Sequence, residues 1–137
     1  MIYLICMNSL YLWALKRAGA IMVPLFVLNW IGVTYSIYGV LWWWDVMTHF
    51  LGGIFIGFFV LALAARTGCF GGSHWLRDWM LICLAIFVGW ELYEIAINIL
   101  IPVGSFDYVD TLHDIVNDSL GGLVAYHWYK QFGFNSK

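Results

Sequence analysis

The sequence predicts an all-α integral membrane helical bundle with five spans, or four spans plus one interfacial helix, in a single transmembrane domain over residues 1–137. Three observations predict it. The chain is 64% hydrophobic and only 10% charged, whereas a soluble domain carries about 25% charged residues. Its apolar residues fall in long runs near the roughly 20 residues that span a bilayer. Its aromatic residues include Trp42-Trp43-Trp44, a tryptophan cluster of the kind that marks a membrane–water interface.

Residues 2–15 are an apolar run closed by Lys16-Arg17. The run is short for a span, so it reads as a short or tilted first span, or as an interfacial helix. Residues 18–41 make a clear second span. Pro24 is placed to kink it, and Asn29, Thr34, Tyr35 and Ser36 are expected to face other helices. Asp45 opens a third helix over residues 46–65, in which Gly52, Gly53 and Gly57 allow a neighbour to approach closely. A glycine-containing loop over 66–78 leads to a fourth span, 79–101, and a polar loop over 102–108 leads to a fifth, ending near Tyr129.

The function classes are bounded by the same composition. A net charge of −2 offers nothing to nucleic acid. Cys6, Cys69 and Cys83 form no CxxC or zinc-like spacing and read as small apolar packing residues. The N-terminus lacks a charged region and a small-residue cleavage site, so it does not read as a cleaved signal peptide. No repeat or linker stands out. Threading five alternating spans puts Lys16, Arg17, Arg66, Arg77, Lys130 and Lys137 on one side. By the positive-inside rule that side is cytoplasmic, in a multi-pass protein of the cell membrane with its N-terminus outside and its C-terminus inside.

Every acid but Asp78 then falls in the outer half. Asp110, His113, Asp114, Asn117 and Asp118 are spaced three, four, seven and eight residues from the first, which sets them on one helical stripe. Glu91 and Glu94 are three apart in the fourth span, and His49 follows Asp45 by four. At ~1.5 Å per residue, Glu94, Asp114 and His49 lie about 10, 8 and 5 Å below the outer ends of their helices, close enough in depth to share a site. Ionised carboxylates in hydrocarbon are costly and repel one another. With no lysine or arginine nearby, protons or a cation must offset them. The histidines favour a divalent metal ion, of the set Mg, Mn, Ca, Fe or Zn. Expected ligands are His49, Glu91, Glu94, Asp110, His113, Asp114 and Asp118, with Asp45 beside them; Glu91 and Glu94 are the catalytic candidates.

Plainer readings stand next to these. Asp45 is placed to cap the third helix, and either Asp107 or Asp110 the fifth. Asn98 and Asn117 suit interhelical hydrogen bonds. A lone His49 or His113 is more often a hydrogen-bonded interior residue, and His74 and His127 are expected to be uninvolved. Glu91, Glu94, Asp114 and Asp118 lie too deep for capping.

The segments WDVMTHFLGG, GWELYE and DTLHDIVNDSLGG, within about residues 40–126, resemble the YjdF-like family of small polytopic membrane proteins, which is similar to VanZ-like proteins. By position the resemblance covers Asp45, His49, Glu91, Glu94, Asp110, Asp114 and Asp118. It implies a small bacterial or archaeal membrane protein and supplies no settled reaction. VanZ-like proteins are linked to glycopeptide resistance, a role this sequence gives no reason to transfer. Three functions stay open: a metal site acting on a lipid or lipid-linked headgroup, with one Glu as general base; a cation or proton transporter; and an accessory subunit bound to other membrane proteins. The lipid bilayer is the environment in each.

Overall fold

The computed structural model describes residues 2–68, 74–101 and 108–133, and the side chains of 9–68, 74–101 and 108–132. Asp107, Cys69, most of the 102–108 loop and Lys137 lie outside the described residues, as does the side chain of Cys6. The chain is all-helical: α1 (Ile2–Thr34), α2 (Trp42–Thr67), α3 (Trp75–Leu100) and α4 (Tyr108–Trp128).

Five spans become four helices, because the first two expected segments are one continuous α1 of 33 residues. Nothing between Leu15 and Ala18 breaks a helix: Lys and Arg are good helix formers, and their long stems run along apolar surface. The Arg17 guanidinium lies 3.8 Å over the Trp13 ring, and Nη1 donates to the Trp13 carbonyl at 3.2 Å. Pro24 sits inside the same helix. At ~1.5 Å per residue α1 is about 50 Å long, more than the roughly 30 Å hydrocarbon core requires. Residues 9–34, 42–67 and 75–100 are long and apolar enough to cross a membrane. The polar stripe of α4 lowers its hydropathy, and this helix packs on α2 instead of presenting an apolar face all round.

The fusion also moves the N-terminus. Arg66 lies 6.0 Å from the Tyr11 ring, and Trp13 packs edge-on to Tyr129 at 6.3 Å. The start of α1 therefore sits at the same end of the bundle as the end of α2 and the end of α4, not opposite the C-terminus. Arg17, Arg66, Arg77 and Lys130 still share that end, since an even number of helices returns the chain to its starting side.

α1 also stops earlier than expected. Ser36 adopts a left-handed conformation (φ 53°) and a 3-10 turn over Ile37–Gly39 leads into α2. α2 begins at Trp42, so the tryptophan triplet is its first turn; its cap is Leu41, without a side-chain bond. Asp45 is thus inside the helix and caps nothing. Asp110 is likewise within the first turn of α4.

α2 is the central helix. Phe58 and Trp79 are fully buried, and the Trp79 indole donates to the Gly57 carbonyl at 3.2 Å, tying α3 to α2. α4 comes closest. A Cβ on Gly53 would collide with the Asp118 carbonyl, and one on Gly121 with the Phe50 carbonyl. The expected close approach at Gly53 and Gly57 is therefore made to α4, where Gly121, Gly122 and Ala125 answer them.

Candidate functional site

Each helix brings its polar residues to the site by a simple spacing. On α3 the buried residues are Trp79, Cys83, Phe87 and Glu91, every fourth position. This single seam fits α3 against α2 and α4 and ends on a carboxylate. On α4, Asp114 and Asp118 precede Gly121, Gly122 and Ala125 on the buried face. The small residues that let α4 touch α2 thereby press both aspartates onto the α2 turn that holds His49. On α2, Asp45, Thr48 and His49 share one face, and the Thr48 hydroxyl donates to the Asp45 carbonyl at 2.9 Å.

His49 is the centre. Its Nδ1 lies 3.3 Å from Asp118 Oδ2 and 3.9 Å from Glu91 Oε1. Its Nε2 lies 3.7 Å from Asp45 Oδ1 and 3.9 Å from Asp114 Oδ2. One imidazole thus stands between four carboxylates from three helices. The group is buried: Glu91 is 3% exposed, Asp114 4%, Asp118 5% and His49 9%. Glu94 stands at the edge and accepts from the Trp90 indole at 2.9 Å. Glu91 Oε1 is buried without a hydrogen-bond partner. A buried acceptor left unpaired costs about 1–3 kcal/mol, and more for a charged group, so this oxygen points to a proton or a cation among its neighbours.

Two sets of ligand atoms lie within 4.8 Å of one another: Asp45, His49 and Asp114, and His49, Glu91 and Glu94. They use the same imidazole. An ion bound at one ring nitrogen leaves the other to a carboxylate that orients the ring, the usual arrangement of a metal-binding histidine. Oxygen-rich sets with one nitrogen suit Mn, Fe or Zn, or Mg and Ca where His49 serves only as a neighbour.

The structure brings together Asp45, His49, Glu91, Glu94, Asp114 and Asp118. Asp110 and His113 are exposed on α4 and join neither ligand set. The shared stripe groups them with Asp114, whose side chain is buried while theirs are exposed. Asn98 is exposed. His74 and His127 are exposed at the far end, where His127 Nε2 lies 2.7 Å from the Gln131 amide.

A cavity of about 530 Å³ adjoins the group. Asp45, His49, Glu94 and Asp118 reach it, with Asn29 and Tyr38, and no lysine or arginine lines it. The Tyr38 hydroxyl donates to Asn29 Oδ1 at 2.7 Å. Thr48, Asn29 and Tyr38 were not among the expected site residues. Thr48 could have been found by its place on the Asp45–His49 face; Tyr38 could not, because only the 3-10 turn folds it back over α1.

Residues 3–132 match the model of a family described as predicted membrane protein (DUF2238). No curated protein and no solved structure matches the chain. The match speaks for a membrane protein family; it carries no YjdF-like or VanZ-like name.

Proposed function

The chain belongs to the DUF2238 family of predicted membrane proteins, and we propose that it holds a divalent metal ion at His49 and its surrounding carboxylates and uses that ion on a lipid or lipid-linked headgroup. What supports the reading is a single juxtaposition: four carboxylates within 3.9 Å of one imidazole, with one buried oxygen unpartnered and no cationic side chain lining the adjoining cavity. Like charges this close cannot all ionise in a low-dielectric interior without a counter-ion.

Roles divide by exposure. Glu91, Asp114 and Asp118 are buried and suit ligation; Glu94 lines the cavity and suits the general base, since a base must reach the proton it takes. The bound ion supplies Lewis acidity to a headgroup oxygen. The N-terminal ends of α2 and α4 lie on the same side and add positive dipole there. The YjdF-like and VanZ-like resemblance agrees with a membrane location and adds no reaction.

A transport path is disfavoured. Toward the basic end the bundle is filled by Phe58, Leu61, Trp79, Cys83 and Ala125, all buried and apolar, so an ion leaving the site meets no further ligands.

Metal analysis of protein purified without chelator tests the proposal: about one divalent ion per chain is expected, falling sharply in His49→Ala. Full metal content in His49→Ala would remove this site from consideration. We further propose that the basic end faces the cytoplasm of the cell membrane. In a cysteine-free background, Ser36→Cys should then react with an impermeant thiol reagent in intact cells and Thr67→Cys only after lysis. The reverse pattern would invert the orientation.

A further inference from the structure

α1 and α3 both pack on α2, yet their backbones do not come close to each other among the described residues. The buried residues of α1 are Ala14 and Ala18, toward the basic end, and Gly32, which lies under the Tyr38 and Trp44 side chains at the other. Beyond Ala18, α1 and α3 stand apart, and the 530 Å³ cavity occupies the space between. Its walls are apolar side chains that are also exposed outward: Met22 and Phe26 on α1, Ile86 and Trp90 on α3. A membrane lies against both helices, so the gap opens sideways into hydrocarbon. Its inner end is polar, at Asp45, His49, Glu94 and Asp118. An apolar slot of this size with a few convergent polar groups has the form of a ligand site, and one that opens into the bilayer fits an amphiphile: chain along the slot, headgroup at the acids.

The charge of that inner end selects the headgroup. Asp45, Glu91, Glu94, Asp114 and Asp118 surround His49, and no lysine or arginine lines the cavity to offset those that ionise. A purely anionic headgroup would meet uncompensated negative charge in a low-dielectric setting, whereas a cationic group would be attracted. Glu94 and Asp45, the least buried acids of the group, are where it would sit.

We infer that the gap between α1 and α3 admits a membrane lipid whose headgroup carries a protonated amine, with the ammonium held by Glu94 and Asp45 and the phosphate turned toward the buried ligands. This deepens, and rests on, the reading of the cluster as a site that acts on a lipid headgroup. The amine contact needs only the carboxylates; the phosphate contact needs the ion.

Native mass spectrometry of the full chain in nonionic detergent tests it, titrating phosphatidylethanolamine against phosphatidylglycerol of the same acyl chains, with metal content measured on the same samples. Phosphatidylethanolamine should bind about ten-fold more tightly, and Glu94→Gln should reduce that preference. Ile86→Trp, which fills the gap without touching the cluster, should lose the lipid and keep the metal; Met22→Trp does the same from the opposite wall and decides the matter where Ile86→Trp fails to fold. Equal binding of the two lipids, or a preference unchanged by all three variants, overturns the inference. Metal without a lipid preference defeats the lipid proposal alone. A lipid preference without metal supports the lipid proposal and defeats the metal reading.

Discussion

Gly53→Ala is expected to prevent α2 and α4 from closing and to remove most folded protein, although it adds one methyl group. The added Cβ would meet the carbonyl group and Cα of Asp118. Backbone inside a helix cannot turn aside as a flexible side chain can. Overpacking a core typically costs about 1–3 kcal/mol; a clash between two helical backbones sits at or above the top of that range. The displaced residue is Asp118, the nearest carboxylate to His49, so metal content should fall together with stability. Gly121→Ala meets the Phe50 carbonyl and should behave alike. Gly89→Ala is the control: nothing lies within 4 Å of its added Cβ, and replacing a helical glycine by alanine there should be neutral or favourable by roughly 0.5–1 kcal/mol. Thermal unfolding in detergent measures all three. Equal midpoints for Gly53→Ala and Gly89→Ala would show that the two helices do not approach this closely.

Glu91→Gln has an expected sign that depends on the ion. If the proposed ion is bound, Glu91 would contribute a ligand oxygen, so its loss should lower the unfolding temperature and the metal content. In chelated protein the same substitution removes a buried acid with an unpartnered oxygen and should raise the unfolding temperature, because an unpaired buried charge is worse than a neutral amide. Chelation itself should destabilise the wild type, by about 2.7 kcal/mol if the ion is present at a hundred times its dissociation constant. One divalent ion should restore the loss better than others. Asp114→Asn should follow Glu91→Gln, whereas Asp110→Asn and His113→Ala should change neither quantity, since both residues are exposed and outside the ligand sets. A rise in stability for Glu91→Gln under metal-replete conditions would mean that the carboxylates are held by protons and hydrogen bonds alone.

Much of the candidate site's grouping is legible in the sequence because helical spacing is a local property. Asp45 and His49, Glu91 and Glu94, and Asp114 and Asp118 pair by separations of three or four whatever the rest of the chain does. Burying an ionisable group in a membrane protein is costly enough that such pairs point inward by default. Membrane character followed from composition, and the close approach at Gly53 and Gly57 from the absence of side chains there.

Tertiary structure decided what spacing leaves open. A stripe on a helix does not say which of its residues a neighbour covers: Asp114 is buried, whereas Asp110 and His113 on the same stripe are exposed. Lys16-Arg17 reads as the end of a span because two charges are costly in hydrocarbon; Arg17 stacks on Trp13, and the helix runs on through both residues, turning five segments into four. The gap between α1 and α3 has no local signature at all. It exists because two helices pack on a third without their backbones coming close to each other among the described residues, a relation between residues far apart in sequence that no periodicity encodes. The unpartnered Glu91 oxygen belongs to the same class: whether a buried acceptor is satisfied depends on every side chain around it, and only the folded arrangement of α2, α3 and α4 determines which ones those are.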